Sequence, residues 1–122
     1  MGYRSEVVLA ISKDLMPHFL GVFAKSPDTR ALVFKHNDHI NENYDGKETF
    51  IVSWNDIKWY ESYPEIDAIN SFIEDCEGDE IEGLEEPWDH FRFMRLGEDT
   101  EDMVEKGYLH ACDICFHRSI SF

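Results

Sequence analysis

Residues 49–75, TFIVSWNDIKWYESYPEIDAINSFIED, decide the architecture of the chain: they read as a strand, a tight aromatic turn and a helix. Phe50, Val52 and Trp54 alternate with Thr49, Ile51 and Ser53, the period of two expected of a strand with an apolar face. Trp59, Tyr60 and Tyr63 fill the turn. Ser62 followed by Glu65 has capping-box spacing, and Pro64 falls in the first helical turn, where a missing N–H costs little. Ile66, Ile69, Phe72, Ile73 and Cys76 then form one apolar stripe at helical spacing. Nothing in this stretch is a catalytic signature.

Working toward the N-terminus, Tyr3, Val7, Leu9 and Ile11, with Ser5 among them, share one strand face, while Arg4, Glu6, Val8, Ala10 and Ser12 share the other. Such a strand faces the core on one side and is partly covered on the second. Asp14 is placed to cap a helix carrying Leu15, Phe19, Val22 and Phe23, flanked by Met16 and Leu20. Ser26-Pro27 ends that helix and starts a short one, with Ser26 as cap and Ala31, Leu32 and Phe34 facing inward. Asp45-Gly46, a hairpin dipeptide, predicts an edge strand around Ile40 paired with the strand that begins at Thr49. Toward the C-terminus, Glu74–Asp89, EDCEGDEIEGLEEPWD, reads as a long acidic loop, and His90–Leu96 as a strand. Gly97–Lys106 reads as one or two helical turns around Met103 and Val104, and the end as a strand in which Cys112, Ile114, Phe116, Ile120 and Phe122 share a face. The order predicts a single α+β domain over 1–122: a mostly antiparallel sheet of four to five strands with two main helices on one face, ferredoxin-like in style.

With 122 residues and 14% aromatics, the chain is long enough for one core. No run approaches the roughly 20 apolar residues of a membrane span. Met1 to Arg4 leads straight into a strand instead of a signal-peptide apolar region, so a cytoplasmic protein is expected. Three cysteines cannot all pair within one chain, which also favours a reducing compartment. Asp and Glu number 26 against 11 Lys and Arg, a formal net charge of -15. Such a surface repels nucleic-acid backbones and anionic membranes, and attracts basic protein surfaces in a salt-dependent way. Selection for solubility alone would also produce acidity.

The segment HACDICFH offers His110, Cys112, Cys115 and His117 as soft-metal ligands. In an extended strand, however, His110 and Cys112 point away from Cys115 and His117, and no glycine or proline eases a bend, so no metal site is expected. A redox CxxC pair normally opens a helix that lowers the thiol pKa, and this one lies in a strand pattern. His36 and His39 decorate a polar stretch. The acidic loop departs from a calcium loop because Gly78 comes too early and Leu84 stands where a bidentate Glu belongs. There is no phosphate-cradling glycine loop, nucleophile elbow or HExxH, so neither catalytic residues nor a cofactor are expected.

Taken together, the carboxylates from Glu74 to Asp89, followed by Glu98, Asp99, Glu101, Asp102 and Glu105, concentrate negative charge in one third of the chain. Gathered by the fold, they could occupy a basic groove that otherwise holds nucleic-acid phosphates; scattered, they are a solvated loop and helix face. The aromatics Trp54, Trp59, Tyr60, Tyr63 and Trp88 exceed what a small core easily buries. Trp54 is expected inside with Trp59 near it, leaving Tyr60, Tyr63 and Trp88 as interface anchors. Stacking on single-stranded nucleic acid pairs aromatics with positive charge, so direct nucleic-acid binding is not expected.

The opening MGYRSEVVLAI, the block WNDIKWYESYPEIDAI, the run RLGED from Arg95 to Asp99 and the closing RSISF resemble small acidic proteins encoded by tailed bacteriophages. The resemblance spans nearly the whole chain. It implies expression in an infected bacterial cell and an accessory role toward host machinery or defence, and it carries over no functional residue. The resulting expectation is a non-enzymatic accessory protein that binds and inhibits a basic surface of a host nucleic-acid-handling or defence protein. The residues expected to carry this are Glu77, Asp79, Glu80, Glu82, Glu85, Glu86, Trp88 and Asp89. Two other readings stand beside it: a metal- or small-molecule-dependent function in the Cys/His segment, and a structural domain that oligomerises.

Overall fold

The computed structural model describes residues 2–44, 46–99 and 101–109, together with the backbone of Cys115–Phe116 and Ile120–Ser121. Its central strand is β1 (Ser5–Ile11), flanked by β3 (Phe50–Ile57) and β4 (Phe91–Gly97). The edges are β2 (His39–Asn41) beside β3 and β5 (Met103–Lys106) beside β4, giving the order β2-β3-β1-β4-β5 with every pair antiparallel. The helices are α1 (Met16–Lys25), α2 (Pro27–Phe34) and α3 (Pro64–Glu77). This is an α+β fold on the β-α-β-β-α-β plan, with α2 added after α1 and β5 added outside β4.

The alternation of β1 and β3 places Val7, Leu9 and Ile11 beside Phe50, Val52 and Trp54 on the face that the helices cover. Phe19 and Phe23 of α1, Val33 of α2, and Ile69, Phe72, Ile73 and Cys76 of α3 complete that core. Phe19 is at its centre, with ring centroids 5.0 Å from Phe23, 5.2 Å from Phe72 and 6.4 Å from Phe50. On the opposite face Val8, Ala10, Ile51 and Met94 are buried as well, with Tyr44, Leu96 and Leu109 packed against them. The partly covered second face expected of β1 is therefore closed over.

Several local expectations are corrected. Asp14 does not cap α1: Leu15 holds the N-cap position without a side-chain cap bond, and its N–H donates to Ser12 Oγ at 3.2 Å. A tight turn returns Met16 N–H to Ser12 O (3.0 Å), which makes the Ser12 hydroxyl the nearest acceptor. The Ser62–Glu65 capping box does not form either. Pro64 at the start of α3 holds Tyr63 in an extended conformation (φ -81, ψ 124), so the helix starts one residue too late for Ser62. In α2 the Ser26 cap holds, accepting Thr29 N–H at 3.4 Å, but Val33 takes the inward position. Phe34 stays exposed against the edges of Phe23 and Phe50.

The largest correction is Gly97–Lys106, which forms a β-hairpin arm instead of helical turns. Gly97 N–H donates to Asp102 O (2.8 Å) and Asp102 N–H to Asp99 O (2.9 Å), reversing the chain. Val104 then pairs with Arg95, and Glu105 with Met94, along β4. Glu74 to Glu77 belong to the last turn of α3, not to a loop. At the C-terminus β6 (Cys115–Phe116) and β7 (Ile120–Ser121) pair antiparallel with each other, instead of forming one continuous strand.

Candidate functional site: an acidic segment and its flanking clefts

After α3 the chain is held to the domain by apolar side chains. Ile81, Leu84 and Trp88 pack against the helix-face core, and Pro87, which opens a short 3-10 turn over Pro87–His90, is buried. Glu80 N–H donates to Asp75 O at 2.8 Å and Asp89 N–H to Glu86 O at 2.9 Å. Asp79 and Glu86 adopt left-handed backbone (φ 57 and φ 49), which re-aims the chain between these anchors. Glu77, Asp79, Glu80, Glu82, Glu85, Glu86 and Asp89 consequently all face solvent, while Trp88 is half-buried. Among the described residues, only Glu77 of this set meets a base, Lys106 Nζ at 3.4 Å.

These residues do not share one concavity. Glu77 and Trp88 line a cleft of about 440 Å³ with Arg92, Glu105, Lys106 and Tyr108. Its charges are matched internally: Arg92 pairs with Glu105 and donates to Gly107 O (2.8 Å), and Lys106 pairs with Glu77. Tyr108, 66% exposed, is pinned by its N–H to Trp88 O at 2.8 Å. Glu80 and Glu82 line a different cleft of about 450 Å³, between α1 and α3, with His18, Lys25 and Asp75. Asp79, Glu85, Glu86 and Asp89 line neither.

A third cleft, of about 510 Å³, was not anticipated from the sequence. It is walled by Tyr3, Trp59 and Tyr60, has Phe93 and Val104 in its lining, and carries the charged groups Glu61, Glu74, Arg95, Asp102 and Lys106. Trp59 is tilted against Trp54 (5.5 Å) and Phe93 (5.7 Å), and Tyr60 against Tyr63 (5.3 Å). Tyr60 Oη accepts Tyr3 N–H at 2.5 Å, and Tyr3 Oη donates to Asp102 Oδ2 at 2.8 Å. Arg95 grips Asp102 with both guanidinium nitrogens, at 2.8 Å and 3.1 Å, and reaches Ser5 Oγ at 3.2 Å. The Arg95 bonds, then the Tyr3 hydroxyl, hold the Asp102 carboxyl below its ordinary range against the effect of burial. Asp99 N–H alone would lower the Tyr3 pKa, but the Asp102 carboxylate that accepts from it, with partial burial, raises it overall. Of the aromatics expected at an interface, Tyr60 and Trp88 line clefts and Tyr63 caps α3 by backbone alone. The run WYESY was the only sequence signal for the third cleft.

The reactive groups that are described point to structural roles. Burial first, then Asp75 and Glu77, push the Cys76 thiol up to about 12, far from a working nucleophile. Ser12 Oγ lies 2.8 Å from His90 Nδ1, but it also accepts Leu15 N–H, and Ser12 N–H donates to His90 O at 2.8 Å. The pair clamps the end of β1 to the start of β4. Among the described residues no group of three or more His, Cys, Asp or Glu is placed to hold a metal ion, and no helix is long and apolar enough to cross a membrane. His110, Cys112, His117 and the Cys115 side chain lie outside the described residues, as does Asp45 of the hairpin dipeptide. Comparison with protein-family models, curated proteins and solved structures finds no match to the chain.

Proposed function

We propose that the protein is a non-enzymatic binding protein whose acidic segment, residues 77–89, engages a positively charged surface of another protein. The observation that supports this reading is that the carboxylates from Asp79 to Asp89 face solvent with no base against them among the described residues, on a segment anchored by Ile81, Leu84 and Trp88. An anchored row of unmatched carboxylates attracts a basic surface at a distance, and less ordering entropy is lost on docking than for a free loop. The resemblance to phage accessory proteins suggests the partner class: a host nucleic-acid-handling or defence protein, met in the bacterial cytoplasm and inhibited when its phosphate-binding groove is filled by carboxylates.

The experiment is capture from bacterial lysate at low and moderate salt, followed by a nucleic-acid competition assay on the captured partner. The expected result is a basic partner that is lost as salt rises, and that releases nucleic acid when the protein is added. Changing Glu77, Asp79, Glu80 and Glu82 to Lys should abolish capture while circular dichroism stays unchanged. Undiminished capture by that folded variant removes the segment from the mechanism. A stable oligomer that captures nothing would instead favour a structural domain.

A further inference from the structure

We propose that the cleft walled by Tyr3, Trp59 and Tyr60 is a binding site for the guanidinium group of an arginine side chain. The charges around it decide the sign of the ligand. Two bases line the cleft, and each already has a carboxylate: Arg95 is engaged by Asp102 through a bidentate pair, and Lys106 by Glu77, which lies outside the cleft, at 3.4 Å. The carboxylates that remain are Glu61, arriving from the turn before α3, and Glu74, arriving from the last part of α3, and neither has a base against it among the described residues. An anionic ligand would find no free base here, whereas a cation finds two carboxylates without partners.

The aromatic walls decide the shape. Each wall is fixed before any ligand arrives: Trp59 by its neighbours Trp54 and Phe93, Tyr60 by the Tyr3 N–H, and Tyr3 by Asp102 and the Asp99 N–H. Aromatic faces are negative and attract cations. A planar, weakly hydrated guanidinium stacks on them and offers a fork of donors to carboxylates, which a compact ammonium does less well. A volume of about 510 Å³ is within the ordinary range for ligand clefts and has room for the arginine stem as well as its head. The site stands on its own lining and does not depend on what the acidic segment engages.

The test uses the intact chain and the peptide acetyl-Gly-Arg-Gly-amide, with its isosteric but uncharged citrulline analogue as comparison. Binding is followed through the Trp59 indole resonance, assigned by its loss in Trp59→Phe. The arginine peptide should shift that resonance saturably, and the citrulline peptide should bind at least about tenfold more weakly. The double change Glu61→Gln and Glu74→Gln should weaken arginine binding by a similar factor, while Glu80→Gln with Glu82→Gln leaves it unchanged. Asn70→Arg, which adds an internal guanidinium on α3 at the cleft wall, should block the peptide without unfolding the domain. Equal binding of citrulline, unaltered binding by the Glu61/Glu74 variant, or weakening by the Glu80/Glu82 variant alone would overturn the proposal. The last result would identify a diffuse acidic surface as the binder. Because the readout is local to Trp59, the site can fail while lysate capture through residues 77–89 succeeds, and the reverse.

Discussion

Replacing Trp54 with Phe tests how the sheet and α2 are locked together. At the end of α2 both Lys35 N–H (2.8 Å) and His36 N–H (3.1 Å) return to Ala31 O, so the Leu32 carbonyl is passed over by the backbone. Trp54 Nε1–H, projecting from β3, reaches it at 3.1 Å, and Asn37 Nδ2 takes the neighbouring Val33 carbonyl at 2.9 Å. Phenylalanine removes the donor and strands a partly buried acceptor, at about 1–3 kcal/mol. The indole is 1% exposed, so the missing ring volume leaves a gap worth roughly another 1 kcal/mol. The sum, about 2–4 kcal/mol, is large against the roughly 6–18 kcal/mol expected for a chain of this length. Equilibrium urea unfolding should show a midpoint lowered by about 1–2 M with an unaltered m value. Asn37→Ala should lose only about 1 kcal/mol, because water can reach the end of the helix and replace the amide. If Trp54→Phe stays within about 0.5 kcal/mol of the parent, or Asn37→Ala exceeds it, the indole bond is not what closes the helix end.

Asp102 gives a pH dependence whose sign follows from its lowered folded pKa: the Arg95 and Tyr3 bonds stabilise the fold fully above the ordinary carboxylate value near ~3.9, and are lost as pH falls through the lower folded value. Urea midpoints of Asp102→Asn should therefore lie below those of the parent at neutral pH and converge with them in strong acid; a gap that persists there would show that the carboxylate charge is irrelevant. Gly107 has φ +84, and a Cβ there would run into the Phe91 carbonyl. Gly107→Ala should thus lose about 2 kcal/mol or more in thermal or urea unfolding, and a loss under about 0.5 kcal/mol would refute the close approach of that turn to β4.

Elements that bury a stripe of their own were legible in the sequence. The α3 stripe and the period-two faces of β1 and β3 need no partner to be seen, because spacing alone separates inside from outside. β5 was not legible, since four residues reading Met-Val-Glu-Lys have no period of their own. They become a strand by pairing along β4, with Val104 packed against the core and Glu105 and the preceding Asp102 meeting Arg92 and Arg95. The caps of α1 and α3 were misplaced for a related reason: the Lys13–Leu15 turn and the Tyr63–Pro64 junction set where the first free N–H falls, one residue from where composition puts it. Exposure of the acidic segment was readable from its density of carboxylates, whereas its anchoring through Ile81, Leu84 and Trp88 was not, because three apolar residues without a sustained period do not announce a buried face. Its charge matching was not, because Lys106 reaches Glu77 only once β5 lies beside β4. The arginine cleft was hidden more completely, drawing Tyr3, the turn at 59–61, Glu74 and Phe93 from distant parts of the chain.

The position of α3 ties the two acidic regions to one physical cause. A helix C-terminus carries a partial negative charge that favours bases in the last turn. The last turn of α3 has none; it carries Glu74, Asp75 and Glu77, and the carboxylates of residues 79–89 follow directly. Each acidic group at such an end opposes the helix dipole by roughly 0.3–1 kcal/mol at low salt. Lys106 offsets part of this at Glu77, and no base does so at Glu74 or Asp75 among the described residues. The same field that disfavours the free helix end favours any cation brought to it, and most strongly where solvent is partly excluded, as in the cleft beside Glu74. Bases gathered on β4 and β5 neutralise the cleft at Trp88, Glu77 included, and leave Glu74 and Asp75 of the α3 terminus without an ion pair among the described residues. The net charge of -15 therefore states how much negative charge the chain carries, while Arg92, Arg95 and Lys106 determine where it remains free to act.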